Sequence, residues 1–171
     1  MSIEAIKRVE KAIEDIKRGK MVIMMDDEDR ENEGDLVYAA TFSTPDMVNF
    51  MAKEARGLIC TPVTKEIATK LDLVPMVNNN VSNYETAFTV SIDSANAETG
   101  ISSAERDDCI SKLANPQTVS EDFVRPGHIF PLIAKDGGVL VRTGHTEGSV
   151  DLCKLAGLAP AAVICEIIKD D

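Results

Sequence analysis

The segment from residue 26 to residue 35 constrains the fold more than any other part of this chain. It reads Asp-Asp-Glu-Asp-Arg-Glu-Asn-Glu-Gly-Asp, so seven of its ten side chains are carboxylates and Arg30 is the only cation among them. Apolar runs short enough to be strands flank it, residues 21–25 before it and residues 36–40 after it. We therefore predict a fixed loop between two core strands. Because crowded carboxylates repel one another unless cations or a metal offset the repulsion, such a loop indicates chemistry at this point.

Size, composition and charge exclude several classes of protein. A chain of 171 residues that is 44% hydrophobic suits one globular domain with a real core. No apolar stretch approaches the roughly 20 residues of a membrane span, and the N-terminus lacks the basic-then-apolar layout of a signal peptide. The net charge of −11 argues against a nucleic acid partner, but a local positive pocket can still bind a phosphorylated small molecule.

The four cysteines predict a reduced, cytoplasmic protein. None forms a Cys-x-x-Cys pair, which argues against a zinc site. Cys109, Cys153 and Cys165 lie in apolar or helical stretches, so we expect them to be reduced core residues. The role of Cys60 stays open at this stage.

Hydrophobic spacing and capping residues predict an irregular alternation of helices and strands. Helices are expected over residues 3–18, 45–56, 65–71, from 103 onward and 146–156. Ser2, Thr64 and Ser102 are expected to cap the starts of three of them, and Gly19 and Gly157 to end two. Strands are expected over residues 58–62, 86–92, 129–134, 139–142 and 161–168, with a hairpin at Asp136-Gly137-Gly138 and an Asn-rich surface loop over residues 75–85. This order favours a mixed sheet covered by helices over a regular parallel βαβ array.

The only two histidines occur in matching contexts. His128 and His145 each follow a glycine, three residues after an arginine and next to a strand end. A lone histidine is usually structural, but two in such contexts shift the balance toward function.

The segment around His145 predicts a phosphate site. Gly144 lets a ligand approach the backbone, and Thr146 is expected to cap a helix whose first amides attract anions. Arg142 adds a bidentate donor. Many helix caps look like this and bind nothing, so a purely structural cap is the alternative.

The acidic segment and His145 together predict a metal. Mg²⁺ prefers oxygen ligands, and Mn²⁺ also accepts an imidazole. The alternative is a solvated charged loop, and the spacing excludes an EF-hand.

Glu166 lies in the apolar run of residues 161–168, so it either faces solvent on an alternating strand or faces a site that raises its pKa. The run does not decide between the two positions.

These motifs together resemble the 3,4-dihydroxy-2-butanone 4-phosphate synthase family of riboflavin biosynthesis. The resemblance rests on residues 26–35, on Arg-Pro-Gly-His at 125–128 with Phe-Pro-Leu after it, and on Arg-Thr-Gly-His-Thr-Glu at 142–147. It extends from about residue 6 to residue 166 and includes residues 57–60, 79–80, 84, 88–90 and 99–102.

The resemblance implies an enzyme, a lyase that converts D-ribulose 5-phosphate to L-3,4-dihydroxy-2-butanone 4-phosphate and formate. It implies a divalent cation, usually Mg²⁺ with Mn²⁺ as the alternative, and a homodimer with its sites near the subunit interface. It also implies an α+β fold of three layers, a mixed β-sheet flanked by helices on both sides. Neither a nucleic acid nor a membrane is expected as a partner.

The resemblance also assigns roles to individual positions. The metal ligands would be Glu31 and His145. The catalytic positions would be His128, Glu166, Asp26, Glu33 and Cys60. The substrate-binding positions would be Arg30, Glu31, Asp35, Thr99, Arg142, Thr143, Gly144, His145, Thr146 and Glu166.

Family members generally continue past the last residues of this chain, and many are fused to a GTP cyclohydrolase II domain. We therefore expect residues 1–171 to form a single synthase domain that lacks the last C-terminal elements of the family. Two other functions stay open: an isomerase of sugar phosphates that shares the enediol step but releases no formate, and a catalytically silent domain whose acidic loop binds cations or a partner protein.

Overall fold

A mixed six-stranded sheet forms the centre of the molecule, whose computed structural model describes residues 2–170. Its strands are β1 (Val22–Met25), β2 (Gly34–Ala39), β3 (Cys60–Val63), β4 (Ile92–Ser94), β5 (Phe123–Ile133) and β6 (Ala162–Glu166). Their order across the sheet is β1-β2-β6-β3-β5-β4. The pair β3–β5 is parallel, and the other pairs in the described residues are antiparallel.

Helices cover both faces of this sheet. They are α1 (Ile3–Lys17), α2 (Pro45–Phe50), α3 (Lys65–Lys70), α4 (Ser103–Ala114) and α5 (His145–Leu155). One core packs α1 and α5 against the sheet through residues such as Ile16, Val37 and Cys153. The other packs α2, α3 and α4 through residues such as Tyr38 and Ile110. The expected α+β fold of three layers is confirmed.

Most helix ends follow the predicted capping residues. Ser2 accepts a hydrogen bond from the Ala5 amide at the start of α1, and Thr64 and Ser102 accept the corresponding bonds of α3 and α4. The predicted second helix continues from α2 as a π-helical turn over Met51–Ala55. None of the helices within residues 2–170 is long and apolar enough to cross a bilayer. All four cysteines are buried and unpaired, as expected for the three assigned to the core.

The strand before the acidic segment is not a core strand. β1 occupies the edge of the sheet, and alternate side chains are exposed, Ile23 by 63% and Met25 by 66%. An apolar run of this length cannot show by itself whether a strand has one neighbour or two.

Two predicted strands are also wrong. Residues 86–91 follow β5 through isolated bridges such as Phe88 with Leu132, and regular pairing begins only at Ile92. Pro131 of β5 has no N–H to donate, so a regular ladder cannot form there. Residues 139–142 form no hairpin strand, because a 3₁₀ turn spans Gly138–Leu140 and the Val139 amide donates to Asp151 of α5 at 2.9 Å.

Candidate active site

The acidic segment is a closed loop organised around Asp26. The Asp26 carboxylate accepts the backbone N–H groups of Glu31 at 3.2 Å and Glu33 at 2.9 Å, and it pairs with Arg30 at 2.6 Å. Burial raises the pKa of Asp26, but the hydrogen bonds from Glu33 and Arg30 outweigh burial and hold the pKa below its usual value. Asp26 therefore stays ionised and shapes the loop, while residues 27–29 are exposed to solvent.

A cavity of about 110 Å³ lies where this loop meets the start of α5. The antiparallel register of β2 and β6 places Asp35 opposite Glu166, and β3 brings Cys60 beside β6. Residues more than 100 positions apart in the chain thus line one cavity. The lining side chains are Arg30, Glu31, Glu33, Asp35, Cys60, Thr86, Phe88, Leu132, Arg142, His145, Thr146, Ile164 and Glu166.

Two buried polar atoms in this cavity have no hydrogen-bond partner among the residues that the structure describes. They are Oδ1 of Asp35 and Nε2 of His145, whose residues are 2% and 7% exposed. The His145 Nδ1 and Asp35 Oδ1 atoms lie 3.5 Å apart, too far for a good hydrogen bond. Buried atoms of this kind need a bound water or cation, and one carboxylate with one imidazole suits a divalent ion.

The electrostatics of the cavity favour an incoming cation. Burial, followed by the negative charges of Glu166 and Glu33, raises the pKa of Asp35 to about 7. Burial lowers the pKa of His145, which keeps its imidazole neutral and able to act as a ligand. In residues 2–170, no group of three or more His, Cys, Asp or Glu side chains forms a complete metal site, so an ion here would need oxygen ligands from water or substrate as well.

The start of α5 presents free backbone amides and a fixed arginine. Gly144 is the N-cap and has no side chain to accept the first amides. Thr146 lies inside the first turn, so the prediction that Thr146 caps the helix is wrong. A Cβ atom on Gly144 would lie 2.1 Å from Nη1 of Arg142, which is the physical reason for glycine at this position. Thr143 is exposed beside the cavity.

Glu147 holds Arg142 and was not predicted from the sequence. It is 1% exposed and pairs with Nη1 of Arg142 at 2.6 Å. Arg142 also donates to the Tyr84 carbonyl at 3.1 Å and to the Thr86 hydroxyl at 3.2 Å. The sequence contained one signal for this pair, because Glu147 follows Arg142 by five residues, in the expected first turn of the helix, where a carboxylate can pair with an arginine.

Tyr84 links the Asn-rich loop of residues 75–85 to the acidic loop. Its hydroxyl donates to the Arg30 carbonyl at 3.0 Å, and the Arg30 guanidinium lies 5.0 Å from the centre of the Tyr84 ring. These contacts fix the Asn-rich loop against the acidic loop, and Thr86, directly after the Asn-rich loop, lines the cavity.

Cys60 and Glu166 occupy the floor of the cavity. Burial raises the pKa of the Cys60 thiol, so the thiol stays protonated at neutral pH and is a poor nucleophile. Oε2 of Glu166 accepts the Leu58 amide at 2.9 Å. Of the two positions open to Glu166, the structure has the one in which the residue lines the cavity.

His128 and Thr99 belong to a different cluster. His128 lines a neighbouring hollow of about 250 Å³ with Gly57, Leu58 and Arg106, and it is absent from the lining of the first cavity. Thr99 is exposed and is held by Glu105. Gly100, next to Thr99, packs against Asp93, which bonds His128. The structure thus separates the predicted site residues into two groups.

Comparison with known proteins relates the chain to one family throughout. The family model described as 3,4-dihydroxy-2-butanone 4-phosphate synthase matches residues 10–171. The relative of that name from Wolinella succinogenes is 68% identical over 166 residues, which are 97% of this chain and 48% of the relative. The one from Helicobacter hepaticus is 67% identical over 165 residues, 96% of this chain and 46% of the relative. The chain thus spans about half the length of these curated relatives.

Solved structures agree with the same family. A 3,4-dihydroxy-2-butanone 4-phosphate synthase in complex with two magnesium ions superposes with a TM-score of 0.93 at 46% identity, over 95% of this chain and 76% of that one. A two-domain synthase from A. baumannii superposes with a TM-score of 0.92 at 51% identity, over 95% of this chain and 48% of that one. Because its sequence and its fold both match, this chain belongs to the 3,4-dihydroxy-2-butanone 4-phosphate synthase family.

Proposed function

We propose that this chain converts D-ribulose 5-phosphate to L-3,4-dihydroxy-2-butanone 4-phosphate and formate, a lyase step of riboflavin biosynthesis. One observation supports the proposal most directly. The chain belongs to this family, and its acidic loop and the start of α5 meet in one cavity that holds two buried, unpartnered polar atoms, one on Asp35 and one on His145. A solvated acidic loop would leave no such atoms buried.

Glu31 and His145 would hold Mg²⁺, with Mn²⁺ as the alternative ion. The unpartnered Nε2 of His145 supports this assignment, as does the related structure in complex with two magnesium ions. A bound divalent ion supplies polarisation of the substrate carbonyl and stabilisation of developing negative charge. Asp35 and Arg30 would orient the sugar hydroxyls from the two sides of the acidic loop.

The phosphate end of the substrate would bind at the start of α5. Arg142 and Thr146 line the cavity here, and the N-cap Gly144 offers no side chain to the first amides of the helix, which suits an anion. The buried Glu147 fixes the orientation of Arg142 in advance. Thr143, which is exposed, is assigned to this segment by the family resemblance alone.

The carboxylates around the cavity would carry the proton transfers. The reaction removes the C3 proton, expels the C1 hydroxyl, migrates a carbon and releases C4 as formate, so protons move several times on one small substrate. Asp35 has a pKa of about 7 and can take or give a proton near neutral pH. Burial and the neighbouring Glu31 charge raise the pKa of Glu33, which suits the same work. Glu166 would act from the strand next to Asp35, and the neutral Cys60 thiol would contact substrate.

We further propose a homodimer in which His128 and Thr99 of one subunit complete the cavity of the other. Both positions are assigned to the site by the family resemblance, yet neither lines the cavity of its own chain. Both residues are also exposed in the single chain. A side chain that contacts a second copy has to be exposed in this way before the dimer forms.

The first test is release of formate from ribulose 5-phosphate. We expect the folded protein with Mg²⁺ to produce formate and L-3,4-dihydroxy-2-butanone 4-phosphate in equal amounts, and EDTA to stop both. Formation of another pentose phosphate without formate would indicate an isomerase instead. No turnover by folded, metal-loaded protein would contradict the proposal.

A further inference from the structure

Asp93 makes two hydrogen bonds to the one residue His128. Its Oδ1 accepts the backbone N–H of His128 at 2.8 Å, and its Oδ2 lies 2.8 Å from Nδ1 of the ring. Asp93 is 7% exposed, whereas the His128 side chain is 44% exposed. The ring is therefore held at its buried end and presents Nε2 outward, and no residue in the range 2–170 bonds that nitrogen.

The backbone around this carboxylate is shaped to admit it. A Cβ atom on Gly100 would lie 2.0 Å from Oδ2 of Asp93, and one on Gly127 would lie 2.2 Å from the Asp93 amide nitrogen. Gly100 also has a φ of +78°, which L side chains rarely adopt. The register of the β4–β5 pair shifts at this point, because Ile92 pairs with Ile129 and Asp93 with Val124, so that residues 125–128 of β5, which include His128, have no paired residue on β4. Two glycines without room for a Cβ atom and a register shift of the sheet thus accompany the contact between Asp93 and His128.

We infer that Asp93 is a positioning residue that fixes the tautomer and orientation of His128. A carboxylate facing Nδ1 keeps the proton of a neutral imidazole on Nδ1, so the lone pair of Nε2 is free to accept a proton. The same carboxylate stabilises the imidazolium after that transfer. The inference rests on the proposed function only for the statement that His128 takes part in the reaction.

The substitution Asp93→Asn tests the inference with little change in shape. The amide oxygen can still accept the His128 backbone N–H, which leaves the NH₂ group facing Nδ1. A donor there forces Nδ1 to become the acceptor, so the ring proton moves to Nε2. We expect kcat to fall by about 100-fold or more while KM changes by less than about threefold, because Nε2 can no longer act as a base.

Nitrogen NMR of the histidine rings reads the tautomer directly and independently of activity. The chain has only two histidines, so His128→Ala assigns both sets of signals. At pH 9, where ordinary imidazoles are neutral, we expect unprotonated Nε2 in the native protein and protonated Nε2 in Asp93→Asn. The exposed Asp136→Asn is the matched control and should change neither the signals nor kcat.

Each outcome decides the inference. An Nε2–H tautomer in the native protein would overturn it, even if Asp93→Asn failed to fold. An unchanged tautomer with reduced activity in Asp93→Asn would make Asp93 a structural residue only. A switched tautomer with unchanged kcat would show that the orientation has no effect on the reaction.

In the His128→Ala background, Asp93→Asn should lower kcat by no more than about twofold further. If the native protein releases no formate, the proposed function fails, while the NMR result still decides the orientation of His128.

Discussion

At the scale of single residues, Asp35 is the carboxylate of the cavity whose surroundings oppose its charge most strongly. It is 2% exposed, and one of its oxygens has no partner in the described part of the chain. The negative charges of Glu166, Glu33, Glu31 and Asp26 act on it as well. Its folded pKa of about 7 lies above the ordinary 3.8. Protonation therefore accompanies folding, and stability is lost as the pH rises from about 4 through 7.

Replacement of this residue should stabilise the metal-free protein. In EDTA at pH 8, we expect the free energy of unfolding of Asp35→Asn to exceed that of the native chain by on the order of 2 kcal/mol, because the variant buries no charge at this position. Denaturant melts at several pH values measure the difference, which should grow between pH 4 and pH 7 and then stay constant. Parallel stability curves for the two proteins would contradict the raised pKa. Formate production should be lost in the same variant.

Glu31 is the carboxylate of the acidic loop that we assign to the metal. Glu31→Gln should weaken Mn²⁺ binding, measured by electron paramagnetic resonance, by about tenfold or more, because a neutral amide is a poor ligand for a hard cation. The matched control is Glu10→Gln on the exposed face of α1, which removes an equal charge. Equal Mn²⁺ affinities of the two variants would remove Glu31 from the ligand set.

At the scale of elements, the start of α4 organises the segment that carries Thr99. The Glu105 carboxylate accepts the amides of Glu98 at 2.6 Å and Thr99 at 3.2 Å, as well as the Ser102 hydroxyl at 2.9 Å. These bonds, the Ser102 hydroxyl first among them, lower the pKa of Glu105 from 4.5 to about 2. One capping residue thus holds the helix start and the loop before it.

The ionised Glu105 cap should make the stability of the protein depend on pH in the acid range. Because the folded pKa of Glu105 is lowered, its stabilisation is complete above about pH 4.5 and is lost as the pH falls toward 2. The native chain should therefore exceed Glu105→Gln in thermal stability by a constant amount above pH 5, and the difference should shrink below pH 4.5. Glu121→Gln, at an exposed carboxylate, serves as the control. A difference that does not change with pH would exclude the ionised cap as its cause.

At the scale of the whole molecule, the proposed dimer divides each site between two chains. The cavity of one chain would supply Glu31 and His145, and the other chain would supply His128 from the neighbouring hollow together with Thr99. Variants that are inactive for different reasons should then complement one another. Mixing and refolding Glu31→Gln with His128→Ala should restore roughly a quarter of native formate production, because half of the dimers are mixed and each has one intact site.

A pair of variants in the same cavity provides the control. Glu31→Gln mixed with His145→Ala should restore no activity, because every cavity then lacks one of the two groups. No recovery in the first mixture, with mixed dimers shown to form by native mass spectrometry, would place all catalytic groups in one chain.

Local sequence patterns predicted much of the secondary structure of this molecule. The caps at Ser2, Thr64 and Ser102 each accept a hydrogen bond from the amide three residues further along the chain. Because these contacts are local, the caps could be predicted from sequence. The acidic loop between two strands and the helix after Gly144 are equally local. The edge position of β1 and the missing hairpin at residues 139–142 could not be predicted, because they depend on neighbours distant in sequence.

The sequence by itself determined which chemical groups this protein has, the family it resembles and the local segments in which carboxylates, histidines and arginines occur. Only the tertiary structure decided how they combine: Asp35 and His145 face one cavity, Glu147 holds Arg142, and Asp93 holds His128 in a separate cluster. The physical reason is that each of these contacts depends on strand order, register or burial. Those properties arise from packing of the whole chain, and no short window of residues contains them.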